Sequence, residues 1–299
     1  MKIVVTGGAG FIGSHFINLV KSINLKIEIT VVDKLTYAAN LNNIQEEVTF
    51  IEKDICDITA EDLGQYDYLI NFAAESHVDN SIKNGRPFVK TNVDGTFNLL
   101  EVARQNKNLK KFIQISTDEV YGDMDDYDNN TTASEVFPLI GSSYYSATKA
   151  SADLLVQAAG RTYGLPYLIT RTCNNYGKNQ HEEKLLPTII KCIKNNKPIP
   201  IYGDGKNIRE WIHADDNSQI IFNLLKSKKT GVVNIGSGET YTNLEIVELI
   251  EHIIGYQLNL KFVEDRKGHD RRYGLQSSDI NKKYIKSSLK EYLKNELLK

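Results

Sequence analysis

Lys2-Ile3-Val4-Val5-Thr6-Gly7-Gly8-Ala9-Gly10-Phe11-Ile12-Gly13 is the stretch that decides the fold. Its first five residues read as a short buried strand, and residues 14–22 carry the apolar spacing of an amphipathic helix. Gly8, Gly10 and Gly13 satisfy G-x-G-x-x-G, and Gly7, Gly10 and Gly13 satisfy G-x-x-G-x-x-G. Between a strand and a helix, such a turn lets backbone approach a pyrophosphate closely, with the free N–H groups of the helix start facing the phosphates. A second strand, Ile29-Thr30-Val31-Val32-Asp33, ends in a carboxylate 20 residues beyond Gly13, where an adenosine ribose is held. Asp33 predicts NAD rather than NADP, because a 2′-phosphate would meet its negative charge. Lys34 beside it works against that preference.

Outward from this unit, strand-like runs at 48–52, 68–72, 112–116 and 167–171 alternate with helical patterns, notably 88–104 and 145–163. The alternation predicts an α/β fold, a doubly wound parallel sheet of Rossmann type. After Asn174-Asn175-Tyr176-Gly177 the rhythm breaks. A helix at 185–195, a strand at 199–202 and a turn at Gly203-Asp204-Gly205 predict a smaller C-terminal α/β substrate-binding domain. Residues 211–225 read as a strand-to-helix return to the sheet. The expected division is therefore 1–173, with 206–235 returning to it, and 174–299. Residues 242–254 form another helix, with Thr242 as N-cap and Glu245 three residues on, and 287–298 a short amphipathic one. Residues 123–130 are an acidic loop, expected to be a solvated excursion rather than a metal site.

The net charge of −2 gives no reason to expect nucleic acid or an anionic membrane as partner. No apolar run approaches the ~20 residues of a membrane span, and the first strand begins at Lys2, leaving no room for a leader peptide. Cys56, Cys173 and Cys192 are odd in number and lack metal-ligand spacing, so reduced thiols in a cytoplasmic protein, and no metal, are expected.

The chemistry is carried by two further stretches. Ser116-Thr117-Asp118-Glu119-Val120-Tyr121-Gly122 directly follows the apolar strand Lys111-Phe112-Ile113-Gln114-Ile115, at the sheet edge where ligands bind. Tyr145-Ser146-Ala147-Thr148-Lys149 puts a Tyr and a Lys at i and i+4, on one helix face. The nearby ammonium and a positive nicotinamide ring would both favour phenolate, so Tyr145 can take a proton from a substrate hydroxyl. Hydride transfer alone has no use for an adjacent Asp and Glu. An enzyme that also removes water does.

These residues resemble the extended short-chain dehydrogenase/reductases, and within them the dTDP-glucose 4,6-dehydratase family. The resemblance runs from Lys2 to about Asp279. Besides the stretches above it covers Asn71-Phe72-Ala73-Ala74-Glu75-Ser76-His77-Val78-Asp79, Thr91-Asn92-Val93-Asp94-Gly95-Thr96, Asn174-Asn175-Tyr176-Gly177 and Glu183-Lys184-Leu185. Further on it includes Pro200-Ile201-Tyr202-Gly203, Ile208-Arg209-Glu210-Trp211 and Asp265-Arg266-Lys267-Gly268-His269-Asp270-Arg271-Arg272-Tyr273. Tyr144 stands where the family often has Pro, and Glu210 where it often has Asp. The Leu-Gly-Trp stretch before the final helix is missing, which bears on C-terminal packing rather than chemistry.

The resemblance implies NAD bound by Gly7, Gly10, Phe11, Ile12, Gly13, Asp33, Lys34, Leu35 and Thr36, then by Asp54, Ile55, Phe72, Ala73, Ala74, Ser76 and Thr91, with Tyr145, Lys149 and Asn175. It implies Thr117, Asp118, Glu119, Tyr145 and Lys149 as catalytic. Tyr145 and Thr117 would act at the C4 hydroxyl of a glucosyl unit, Glu119 as base at C5, and Asp118 as acid for the leaving C6 hydroxyl. Ser76, Asp79, Thr117 and Asn174 would meet the sugar, and Lys184, Leu185, Pro200, Ile201 and Tyr202 the nucleotide. Arg209 would pair with the diphosphate, and Asn243, Asp265, Arg266 and His269 complete the site of a nucleotide-diphosphate sugar. A 4-epimerase shares the cofactor motifs but needs no dehydrating pair, a UDP-glucose dehydratase differs only in the base pocket, and a silent NAD-binding regulator would not need the pair at all. Glu75 in Ala74-Glu75-Ser76-His77 resembles the dTDP type. Apolar residues beyond one stripe, at Val93, Phe97, Leu100 and Val102-Ala103 and at Leu154, Leu155, Val156 and Ala158-Ala159, suggest a homodimer. The resemblance implies a four-helix bundle as its interface.

Overall fold

The computed structural model describes residues 1–128, 131–277 and 282–298. Asn129 and Asn130 of the acidic loop, and Asp279 where the resemblance ends, lie outside the described residues. β1 (Lys2–Thr6) buries every residue after Lys2, as a parallel strand covered on both faces does. In chain order there follow α1 (Phe11–Ile23), β2 (Glu28–Asp33), β3 (Thr49–Glu52), the short α2 (Ala60–Leu63), β4 (Tyr68–Asn71), α3 (Val78–Lys83) and α4 (Arg86–Phe88). A π-helical stretch, Val89–Gly95, leads into α5 (Thr96–Gln105), and then come β5 (Lys111–Thr117), α6 (Tyr144–Tyr163) and β6 (Tyr167–Thr172). The remainder comprises β7 (Asn174–Tyr176), α7 (Leu185–Lys194), β8 (Ile199–Tyr202), β9 (Ile208–His213), α8 (Ala214–Lys226), β10 (Gly231–Ile235), β11 (Thr240–Thr242), α9 (Asn243–Ile254), β12 (Leu260–Val263) and α10 (Leu289–Leu297).

Seven strands pair in the order β3-β2-β1-β4-β5-β6-β10, every pairing parallel. The order reverses between β1 and β4, and a crevice opens outside the carboxyl ends of strands at such a switch point. One apolar cluster, including Phe16, Ile17, Ile220 and Ile221, covers one face, and a second, including Leu69, Leu99, Leu100 and Val156, covers the other. A third cluster, with Tyr176, Trp211, Ile246, Ile250, Leu289 and Leu293, forms the core of the C-terminal half.

Three expectations need correction. The strand within 211–225 does not return to the main sheet: β9 pairs with β7 and β11. The reason lies at Cys173, whose amide donates to the Ile235 carbonyl (3.0 Å). There β10 takes the free edge of β6, and β7 has already left with β9 beside it. Only α8, packed on α1, and β10 rejoin the large sheet. The single helix expected over 88–104 is instead α4, the π stretch and α5 end to end, in which Gly95 lets Ile55 approach (a Cβ would lie 2.5 Å from its Cδ1). Leu100, Val102, Ala103, Val156 and Ala159, taken above as surplus apolar surface, are buried and belong to the core.

Candidate active site

The glycine turn is built by close approach. Gly7 has φ +68°, and a Cβ there would lie 2.5 Å from the Ala73 amide nitrogen, while one on Gly13 would lie 2.4 Å from the Gly7 carbonyl oxygen. Gly8 does different work, since its Cβ would meet Ile17 and Val31 side chains at 2.7 Å, so it sets helix–strand spacing. No side chain caps α1, which leaves its first amides for an anion. Asp33 accepts from the amides of Ala9 (3.0 Å) and Leu35 (2.9 Å), and burial raises its pKa against that pull. Lys34 points its ammonium at Asp54 (3.3 Å) and Thr91 (3.1 Å), so its charge is already engaged. The uncapped helix end, the glycine cradle and the buried carboxylate fit a dinucleotide without a 2′-phosphate.

A cleft of about 500 Å³ runs from this turn between the two halves of the chain. Of the residues expected at the site, all border it except Leu35, Asp118 and Asp265. Leu35 adopts φ +52° and contributes its amide to Asp33 instead. Asp118 is buried behind the cleft wall, and Asp265 holds His269 from the side, 2.6 Å from its Nδ1. Thr172, Cys173, Gln180, His181 and Glu183 also line the cleft and had no role assigned. The sheet-edge rule that picked out Thr117 at the end of β5 applies equally to Thr172 at the end of β6. Nothing in the local sequence marks Gln180 or His181.

At the centre, β5 ends in Thr117, whose hydroxyl accepts from the Glu119 amide (3.3 Å) and donates to Asp118 Oδ1 (3.2 Å). This cap turns the chain into a 3-10 turn, Asp118–Tyr121, and separates the neighbouring carboxylates. Glu119 borders the cleft, while Asp118 is 3% exposed and its Oδ2 has no hydrogen-bond partner. Burial, then the charges of Glu119 and Glu210, push Asp118 well above the usual carboxyl range. Burial also raises Glu119, while Arg266, Arg209 and Lys184 pull it back. The two carboxyls thus occupy unlike environments, the arrangement that sets one up as acid and the other as base. Glu210, known from the sequence only as a departure, supplies part of that difference: it is buried on β9 with Oε1 accepting from the Gly238 amide (2.7 Å).

Opposite lies α6, started by a capping box in which Ser143 and Ser146 satisfy each other's backbone. Tyr145 and Lys149 project from its first turns into the cleft. Lys149 donates from Nζ to the Ile115 carbonyl (2.5 Å), and burial lowers its pKa to about 8, with Asp153 opposing. Tyr145 departs from the sequence expectation. Burial and the charges of Glu119, Asp118 and Asp153 raise its pKa, and only a hydrogen bond with Thr117 opposes them. The protein's own groups therefore favour the phenol over the phenolate. A buried pair, Arg171 Nε to Asp153 Oδ2 (2.8 Å), fastens α6 to β6, and Arg171 also donates to the Tyr121 hydroxyl (2.8 Å) in the turn after β5. Breaking such a pair leaves an uncompensated buried charge, so the stretches that carry Asp118-Glu119 and Tyr145-Lys149 are held in a fixed relation.

The far end of the cleft is basic. Lys184 donates to the Ser76 carbonyl (3.3 Å), and burial lowers its pKa. Arg266 lies 3.7 Å from Asp79, and its Nε is buried without a partner. Arg209 donates to the carbonyls of Ile208 (2.7 Å) and Asp270 (2.8 Å) and stacks 4.2 Å from the Tyr273 ring centroid. Burial, then Arg266, push His269 down to about 4. Three cations converging on a partly desolvated cavity suit a diphosphate.

The sequence model of the NAD dependent epimerase/dehydratase family matches residues 3–236. The low-salt glycan biosynthesis protein Agl12 of Haloferax volcanii is 45% identical, covering 93% of this chain and 91% of that protein. A dTDP-glucose 4,6-dehydratase from Actinoplanes is 41% identical, covering 94% and 90%. Among solved structures, the dTDP-glucose 4,6-dehydratase DesIV from Streptomyces venezuelae with NAD bound superposes with a TM-score of 0.92 at 38% identity, covering 100% of this chain and 96% of that one. A UDP-glucuronic acid 4-epimerase from Bacillus cereus, in complex with UDP-glucuronic acid and NAD, gives a TM-score of 0.91 at 30% identity, covering 99% and 98%.

Proposed function

The chain belongs to the NAD dependent epimerase/dehydratase family, and within it we propose the activity of a dTDP-glucose 4,6-dehydratase, a lyase that converts dTDP-glucose to dTDP-4-keto-6-deoxyglucose. The observation that carries this reading is the divergent pair at the end of β5, with Glu119 at the cleft and Asp118 buried behind it with a raised pKa. An epimerase has no step that needs two carboxyls of opposite protonation. Relatives at about 40% identity bearing the dehydratase name support it.

The chemistry NAD supplies when bound is acceptance of one hydride from the sugar and its return. In its phenolate form, which the Lys149 ammonium and the positive nicotinamide ring would favour, Tyr145 takes the proton of the C4 hydroxyl, oriented by Thr117, as C4 becomes a ketone. Lys149, one turn on, offsets the cost of the buried phenolate, and its pKa of about 8 leaves it mostly charged at neutral pH. The ketone acidifies C5. Glu119 removes that proton while Asp118 donates its own to the C6 hydroxyl, which departs as water and leaves a C5–C6 double bond. Hydride returns at C6, and Glu119 gives the proton back at C5. Lys184, Arg209 and Arg266 hold the diphosphate, and Leu185, Pro200, Ile201 and Tyr202 the nucleoside. Separate incubation with dTDP-glucose and UDP-glucose, followed by mass spectrometry, tests the substrate. Loss of one water, faster from the dTDP sugar, is expected; no loss from either would overturn the activity, and preference for the UDP sugar the base assignment.

The reading includes a homodimer through a four-helix bundle of α5 and α6 with their symmetry mates. Support comes from Phe97 on α5 and Leu154 on α6, which expose 54% and 57% of their surface, and from Val89 at the start of the π-helical stretch before α5, which exposes 42%. Among the described residues no helix is long and apolar enough to cross a membrane, and the three unpaired thiols suit the reducing cytoplasm.

A further inference from the structure

Residues 177–183 link β7 to α7, and Gln180, His181 and Glu183 of this link line the cleft. The link is tied to the opposite half at three places. His15 of α1 donates from Nε2 to the Lys178 carbonyl (2.8 Å), with its Nδ1 2.5 Å from Asp215 Oδ1 on α8. His77, after β4, lies with Nε2 3.4 Å from Glu183 Oε2. Its Nδ1 accepts from the Asn80 amide, which leaves the hydrogen on Nε2 for the carboxylate. Glu183 also lies 3.5 Å from His181 Nδ1.

The third tie is the most telling. Tyr37, in the loop after β2, meets His181 edge to face, with centroids 5.4 Å apart at 88°. Its chain neighbours Thr36, Ala38 and Ala39 line the dinucleotide end of the cleft. Yet Tyr37 is itself 52% exposed. An aromatic ring so exposed contributes little to the core. What it does is join two loops across the mouth of the cleft.

We propose that residues 177–183 form a strap over the bound dinucleotide, fastened by Tyr37, His77 and His15, whose opening sets the rate at which NAD leaves. The proposal rests on reading the cleft as an NAD site. The chemistry gives the strap its purpose, because hydride taken at C4 must be returned at C6 in the same cycle. A cofactor that escaped in between would strand an oxidised sugar. None of the three fastenings touches the reacting carbons in the mechanism above, so their effect falls on cofactor residence.

The test loads the full-length protein with NAD and times its release by capturing free NAD with an excess of an unrelated NAD-dependent dehydrogenase. Tyr37→Ala should speed release about 2- to 10-fold, the range of an aromatic pair, and adding Glu183→Gln should speed it further. Tyr37→Phe keeps the ring and should stay within about twofold of wild type. The apoprotein melting temperatures of these variants should match wild type, a readout that separates a strap from a folding defect. Unchanged release in the double variant would overturn the proposal, as would Tyr37→Phe releasing as fast as Tyr37→Ala. A wild-type protein that takes up no NAD would instead overturn the cofactor reading, and the strap with it.

Discussion

At the scale of the residue, the site buries titratable groups among opposing charges. Burial and nearby carboxylates disfavour the Tyr145 phenolate, so the proposed proton transfer needs the positive charges of Lys149 and the nicotinamide ring to offset them. Tyr145→Phe removes only the proton acceptor and should lower kcat by about 10²–10⁴-fold with an unchanged melting temperature; wild-type turnover would refute its role. Asp118→Asn and Glu119→Gln should lose water elimination and C5 proton exchange while still reducing NAD on mixing with substrate, which absorbance of NADH in a single turnover would reveal. His269 gives a pH signature. Burial pushes its folded pKa down to about 4, below the ordinary 6.5 of an exposed imidazole, so as pH falls through this window the unfolded chain binds the proton first. Stability from this group is constant above 6.5 and lost toward 4, and denaturant melts of His269→Gln should slope less across that window. Asp118, Glu119, Tyr145 and Lys149 were legible because sequence neighbours and i, i+4 pairs stay together in any helix or turn. Glu210 was not, because its effect on Asp118 exists only once β9 has left the main sheet.

At the scale of the element, the two devices that matter are the glycine turn and the start of α6. Gly13→Ala would put a methyl 2.4 Å from the Gly7 carbonyl, too close for any rotamer to relieve. NAD affinity measured by calorimetry should fall at least about tenfold, a loss of roughly 1.4 kcal/mol or more; wild-type affinity would show that the turn does not shape the cofactor site. Ser143→Ala removes one half of a capping box and should cost about 1 kcal/mol of stability, read by denaturant titration. Strand and helix positions along the first six strands follow from apolar periodicity, which local sequence carries. The path of β9 and the left-handed Leu35 do not, since both depend on hydrogen bonds that tie distant segments: the Cys173 amide to the Ile235 carbonyl, and the Ala9 amide to the Asp33 carboxylate that also accepts from Leu35.

At the scale of the whole molecule, Phe97 of α5 and Leu154 of α6 are exposed apolar residues on two helices that pack against each other. The dimer reading predicts sedimentation at about twice the 33.8 kDa chain mass, and a Phe97→Glu, Leu154→Glu double variant that sediments as a folded monomer. Leu100, buried in the core, would unfold the chain if charged and is no probe of the interface. The central claim remains that one cleft oxidises C4, expels water across C5 and C6, and returns the same hydride. dTDP-glucose carrying deuterium at C4 tests it most directly, with the product examined by mass spectrometry and proton NMR. The expected product is a 4-keto sugar nucleotide lighter by one water, with the deuterium at C6. A product of unchanged mass, inverted at C4 with deuterium still there, would contradict it and make the protein an epimerase.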